Sequence, residues 1–161
     1  MTAELVIFVG LQASGKTTFF EQRFRQTHVL VSKDLLRNNS RPGRRQRELV
    51  TTALAEGKSI VVDNTNATPE DRRELVGIGR AAGARVVAYV FTAALEGCLR
   101  RNAAREGRSR VPDRALYVTR SRLVWPTADE GHDAMYRVEL VPGAGFVVRP
   151  FAQEQEPGGA L

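Results

Sequence analysis

The octapeptide Gly10-Leu-Gln-Ala-Ser-Gly15-Lys16-Thr17 constrains this chain more than any other stretch of it. It satisfies G-x-x-x-x-G-K-[ST], follows the apolar run Leu-Val-Ile-Phe-Val at 5–9, and runs into Lys-Thr-Thr-Phe-Phe-Glu-Gln-Arg-Phe, which opens a helix. A glycine loop between a buried strand and a helix start turns successive backbone N–H groups toward one point, where the helix dipole adds positive potential. Such a loop binds the phosphates of a purine nucleoside triphosphate. Lys16 is expected to reach β- and γ-phosphate oxygens, and the Thr17 hydroxyl to ligate Mg2+. The candidate nucleotide-binding residues are Gly10, Gln12, Ala13, Ser14, Gly15 and Lys16, with Thr17 and Thr18 at the head of the helix. The dinucleotide fingerprint is missing, which argues against hydride transfer.

Beyond the loop the pattern alternates. Apolar runs at 28–31, 59–62, 85–91 and 135–141 predict strands, and helical spacing predicts helices over 34–38, 44–56, 68–82, 95–106 and 113–123. Thr68-Pro-Glu-Asp combines a cap residue, a first-position proline and acids in the first turn, while Gly57 and Gly83 close helices. Strands alternating with helices imply an α/β fold, a parallel five-stranded sheet flanked by helices, with 145–149 as a short strand or extended end. One domain over 1–150 is expected, with an arginine-bearing helical lid at about 95–122, a mobile loop at 107–112 and a disordered tail over 151–161.

A chain of 161 residues is about one domain long. The run at 5–9 is too short to span a bilayer and lacks the flanks of a secretory signal, so a cytoplasmic location without membrane contact is expected. A single cysteine, Cys98, excludes an internal disulfide and a cysteine-cluster metal site, and its apolar neighbours suggest packing. Of 24 basic residues only Lys16, Lys33 and Lys58 are lysines, and the net charge is +6. Arginine suits phosphorylated or polyanionic ligands, although a GC-rich genome would give the same bias, so position decides more than the total. One cluster is Arg37, Arg41, Arg44, Arg45 and Arg47; the other is Arg100, Arg101, Arg105, Arg108, Arg110 and Arg114. His132, among Asp129, Glu130 and Asp133, reads as a polar loop, and Trp125 either packs a loop onto the core or stacks on adenine.

Open parallel sheets bind ligands at the C-terminal ends of their strands. Asp34 and Arg37 fall there after the second strand, three apart and so on one helical face. A carboxylate in that place can orient an acceptor hydroxyl and take its proton, and an arginine beside it can hold an acidic acceptor. The bland alternative makes Asp34 a helix cap and Arg37 a solvated group. Asp63, with Thr65 and Asn66 in the turn behind it, comes after the third strand in the position of a Walker B aspartate, where it either holds the metal or caps the turn. Arg101 and Arg105 share one side of a helix, so a lid carrying them could close on the triphosphate. Solvated arginines balanced by Glu96 and Glu106 are the alternative.

Taken in order, these motifs resemble the 5′-kinase domain of the bifunctional polynucleotide kinase-phosphatases of phage and animals, and the wider group of small AAA_33 and zeta-toxin-like P-loop kinases. The matches are Gly10 to Thr17, Asp34-Leu-Leu-Arg37, Asp63-Asn-Thr-Asn66 with Pro69, Leu99-Arg-Arg-Asn-Ala-Ala-Arg105, Val111-Pro112 and Pro126-Thr-Ala-Asp-Glu-Gly131. The resemblance implies an ATP-dependent kinase of the 5′-hydroxyl of DNA or RNA. It casts Asp34 as general base, Arg37 as the grip on the terminal phosphate, Arg101 and Arg105 on the donor phosphates, and Asp63 and Asn66 on the crevice floor. Arg41 and the arginines to Arg47 would meet the entering strand, in agreement with their charge. ATP as donor is also an implication of the resemblance, since no sequence element selects adenine over guanine. Two alternatives stand: a kinase of a small hydroxyl acceptor such as a nucleoside, nucleotide-sugar or antibiotic, and an ATP-gated nucleic-acid binding module. Oligomeric state is not legible.

Overall fold

The computed structural model describes residues 2–152. Its elements run β1 (Glu4–Val9), α1 (Lys16–Arg23), β2 (Val29–Val31), α2 (Pro42–Ala55), β3 (Ile60–Val62), α3 (Pro69–Ala81), β4 (Arg85–Phe91), α4 (Leu95–Ala103), α5 (Asp113–Arg122), β5 (Ala134–Val141) and β6 (Gly145–Pro150). Short 3-10 turns occupy Lys33–Leu36, Gly107–Ser109 and Ala128–Glu130.

Residues 5–9 of β1 are all fully buried, the mark of a central strand covered on both faces. Alternation then sorts its side chains. Leu5, Ile7 and Val9 join Val50, Leu75, Val86, Cys98 and Leu116 on one side, and Val6 and Phe8 join Phe19, Phe20, Phe24 and Phe91 on the other. Phe8 and Phe91 meet edge to face at 5.0 Å, and Phe8 and Phe19 lie tilted at 6.0 Å, so α1 is anchored to the sheet by its aromatic face.

The sheet order is β2-β3-β1-β4-β5-β6. The first five strands are parallel, so the segments after β1, β2 and β3 emerge at the same sheet edge. Among the described residues the sheet has six strands where five are expected. β6 pairs antiparallel with β5, from Tyr136 opposite Pro150 to Val141 opposite Gly145. Gly143 and Gly145 adopt φ of 80° and 75°, which turns the chain back within a few residues; the Pro142-Gly143 pair is the sequence signal for that turn.

Several boundaries also move. α2 starts at Pro42 rather than Arg44, because a first-position proline costs no hydrogen bond, and α4 stops at Ala103 rather than 106. Asn102, fully buried, fixes the segment beyond α4: its amide nitrogen donates to the Val111 carbonyl at 2.7 Å, and its oxygen accepts from the Val111 N–H at 3.0 Å. The segment expected to be a mobile loop is tied back to its helix at that point. Of the tail expected over 151–161, Phe151 is buried and its N–H donates to the Met135 carbonyl; residues 153–161 lie outside the described residues. No helix among the described residues is long and apolar enough to cross a membrane.

Candidate active site

The loop after β1 can only be built with glycines at its two ends. A Cβ on Gly10 would stand 2.9 Å from both the Cβ and the carbonyl of Phe91, and one on Gly15 would stand 3.0 Å from the Phe146 ring in addition to its φ of 97°. Gly15 leads into α1 without a side-chain cap, which leaves the first-turn N–H groups free for an anion. Inside the loop the buried Ser14 hydroxyl has no hydrogen-bond partner among the described residues. A buried donor left unpaired costs free energy, so a ligand oxygen is its natural complement.

Lys16 is buried, and its ammonium donates to the carbonyls of Gly10 and Leu11 at 2.8 Å each. Burial lowers its pKa to about 8, against an opposing pull from Asp63. Across the loop the Thr17 hydroxyl donates to Asp63 Oδ2 at 2.9 Å. Burial raises the Asp63 pKa, opposed by Lys16 and by the Thr17 hydrogen bond. One hydroxyl beside one carboxylate is a hard oxygen pair of the kind Mg2+ takes when phosphates and water complete its shell. Among the described residues no group of three His, Cys, Asp or Glu side chains offers a metal site complete in itself.

The turn after β3 is tied down from three sides. The Gly10 N–H donates to the Thr65 carbonyl at 3.0 Å. Asn66, at φ 43°, donates to the Phe8 carbonyl at 2.7 Å, and its own carbonyl accepts from Arg72 at 2.9 Å. Arg72 is fully buried and grips Glu130 with two bonds, Nε to Oε1 at 2.7 Å and a terminal nitrogen to Oε2 at 2.9 Å. Asn64 faces the other way. Its oxygen accepts from the Lys33 N–H at 2.9 Å, and its nitrogen donates to the buried Gln46 at 2.7 Å.

The bond from Lys33 to Asn64 carries the Lys33–Leu36 turn and with it Asp34. Ser32, not Asp34, is the cap, its hydroxyl accepting from the Asp34 N–H at 3.1 Å. The Asp34 carboxylate is thereby left free of the cap, with its side chain 89% exposed and Arg37 at 3.8 Å. It acts electrostatically on both Lys16 and Asp63, more weakly than the groups in direct contact with them. Replacing Asn64 by Ala should slacken this turn, raising the acceptor Michaelis constant several-fold while nucleotide affinity, by calorimetry, stays unchanged.

From the opposite side come α4 and α5. Arg101 Nε donates to the Ala13 carbonyl at 2.7 Å, and Gln12 Nε2 donates to the Thr119 hydroxyl at 2.9 Å. Arg105 bonds the Ser109 carbonyl and acts electrostatically on Lys16 and Asp63. Thr18 is exposed just beyond the loop. Arg41, exposed at the start of α2, touches none of these groups.

Lys16, Thr17, Asp63, Thr65, Asn66 and Arg101 therefore converge on the loop, with Asp34 and Arg105 in electrostatic reach and Arg37 beside Asp34. In the expected strand-entry cluster two carboxylates offset part of the charge: Arg44 and Arg45 share Glu48, Arg47 pairs with Glu74, and Arg41 has no ion pair among the described residues. Trp125 packs on the core and meets Phe151 edge to face at 6.4 Å, the first of the two roles expected for it. His132 is partly buried beside Glu130 and Asp133, with its ring nitrogens unpartnered among the described residues, and burial lowers its pKa. Sequence reasoning missed the Arg72–Glu130 and Asn64–Gln46 links. The only signal for the first was Glu130 inside Pro-Thr-x-x-Glu-Gly, and nothing local marks Gln46.

A family model, AAA_33, described as an AAA domain, matches residues 5–126. The bifunctional polynucleotide phosphatase/kinase of Schizosaccharomyces pombe (strain 972 / ATCC 24843) is 30% identical over 143 residues, 86% of this chain, which spans 33% of that relative. Among solved structures, a fungal RNA kinase superposes with a TM-score of 0.66 at 16% identity, covering 88% of this chain and 78% of the other. The Mycobacterium tuberculosis APS kinase CysC, solved with AMPPNP and APS, gives 0.59 at 16% identity, covering 86% and 88%. These two likenesses speak for the fold.

Proposed function

Because the chain belongs to the AAA_33 family and has the P-loop kinase fold, we propose that it transfers the γ-phosphoryl group of ATP to the 5′-hydroxyl of a polynucleotide. The observation that carries this reading is the open carboxylate of Asp34, on a turn held by the Ser32 cap, paired with Arg37 and within electrostatic reach of Lys16 and Asp63. Likeness to the fission yeast phosphatase/kinase supports the acceptor class.

In the reaction, the loop amides and Lys16 hold the β- and γ-phosphates, giving up the Gly10 and Leu11 carbonyls as internal partners of the ammonium. Thr17 and Asp63 would hold Mg2+, which supplies charge neutralisation on the phosphate oxygens when bound. Asp34 orients the incoming hydroxyl in line with the leaving oxygen and accepts its proton as the new O–P bond forms and the bond to the β,γ-bridging oxygen breaks. Arg37 holds the phosphate next to the acceptor sugar. Arg101 and Arg105, carried by the proposed lid, neutralise the transferring group.

A kinase of a small hydroxyl compound would enclose its acceptor, whereas the side chain of Asp34 is 89% exposed. The deciding experiment is a panel of 5′-hydroxyl DNA, 5′-hydroxyl RNA, nucleosides and 3′-mononucleotides with ATP and GTP. Labelled strands are expected, with Asp34→Asn at least about a hundredfold slower. Arg37→Ala should raise the acceptor Michaelis constant with little change in turnover. Label on small acceptors alone would overturn the polynucleotide reading, and full transfer by Asp34→Asn would overturn the base.

A further inference from the structure

The charge of this protein is concentrated in one hairpin. Residues 100–122 hold eight arginines against Glu106 and Asp113, a net +6, which is the net charge of the whole chain; the other residues balance at sixteen of each sign. None of these eight arginines forms an ion pair with a carboxylate among the described residues, whereas three of the four arginines at 41–47 do. Unpaired like charges on one small element repel one another, so the arrangement complements a polyanion.

The orientation of α5 separates two roles. Leu116 is fully buried and Thr119 bonds the loop residue Gln12, so that side of the helix faces the catalytic cleft. Arg114, Tyr117, Val118, Ser121 and Arg122 are exposed on the other side, about one helix diameter, roughly 10 Å, away. Arg108 and Arg110, also exposed, extend the same charge ahead of the helix. Tyr117 is 54% exposed, one turn beyond Arg114, with Arg122 about 12 Å from Arg114 along the axis on the same exposed side. An exposed aromatic ring with arginines on the same side of its helix suits unpaired bases and the phosphates beside them. A duplex hides its base faces, and this helix shows too little apolar surface to insert into lipid.

We propose that the outward face of the α4–α5 hairpin, with Arg108, Arg110, Arg114, Tyr117 and Arg122, binds single-stranded nucleic acid at a surface distinct from the phosphoryl-transfer cleft. Its use in presenting a 5′ end rests on the polynucleotide acceptor proposed for the cleft, but binding at it needs no transfer.

The test measures binding of a fluorescent single-stranded oligonucleotide already phosphorylated at its 5′ end, without nucleotide, across a salt series. The variants are R108E/R110E/R114E, the size-preserving R108Q/R110Q/R114Q in case reversal impairs folding, and Y117A; each is checked by its melting curve and by phosphorylation of a dinucleotide. The charge variants should bind at least about tenfold more weakly and lose about 2 from the logarithmic salt slope. Y117A should lose roughly tenfold with the slope unchanged. Dinucleotide phosphorylation should stay at the wild-type level. Wild-type binding retained in every variant overturns the proposal, and so does preference for anionic phosphatidylserine vesicles over the strand. Strand binding that the variants lose, in a protein that phosphorylates no strand, sinks the polynucleotide acceptor and leaves the surface standing. Strand phosphorylation with identical binding in wild type and variants does the reverse.

Discussion

Lys16→Met is expected to lower phosphoryl transfer by about a thousandfold or more, since it removes the one ammonium buried in the phosphate loop. The loss should fall mainly on turnover, because the loop amides still hold the phosphates of the ground state. A steady-state comparison checks this, and a variant within about tenfold of wild type would show that the lysine is a structural group.

The same substitution has a pH signature in the protein without nucleotide. Burial takes Lys16 from an ordinary 10.5 to about 8. Below about 8 both folded and unfolded chains hold the proton, and the full cost of burying the ammonium applies. Between about 8 and 10.5 the unfolded chain still holds a proton that the folded one has released, so the contribution of Lys16 to stability rises with pH across that window. Lys16→Met has no charge to bury. Its melting temperature relative to wild type should therefore fall steadily from about pH 8 to about pH 10, and a constant difference would contradict the burial of a charged amine.

Glu130→Ala should be among the most destabilising single changes in the chain. Arg72 is fully buried and Glu130 takes both of its forked bonds, so removing the carboxylate strands a guanidinium in the core. Breaking such a pair costs about 3–5 kcal/mol. Thermal or denaturant unfolding measures it, and Arg72→Met in the same background should recover part of the loss by removing the stranded charge. If the double variant proved no better than Glu130→Ala alone, the stranded-charge account would be wrong. Partial activity in the double variant would further show how far the Asn66 carbonyl, which Arg72 also holds, depends on this support.

The fold class and the phosphate loop were legible in the residues because both depend on local rules. A buried strand, a glycine pair and a helix start are neighbours in the chain, and the alternation of apolar runs with helical spacing announces a parallel sheet. Asp63 was legible for the same reason, standing one residue beyond its strand. The antiparallel sixth strand was less so, since 145–149 offers a short run that only its pairing with β5 completes.

Other features needed the tertiary structure. Whether Asp34 caps a helix or stands free of one depended on Ser32 taking the cap and on Asn64, from another strand's turn, holding the Lys33–Leu36 segment. Nothing in the residues around Arg72 marks it as buried; its partner Glu130 stands far along the chain and meets it only in the fold. The arginines at 44–47 and at 100–122 look alike in sequence, yet each of the first three pairs with Glu48 or Glu74, and no carboxylate among the described residues pairs with the second group. Sequence by itself thus determined which backbone shapes and which chemical groups exist. Only the folded chain decided which charges are cancelled, which are buried and which face solvent, because those depend on distances between residues remote in sequence and on the solvent each group gives up.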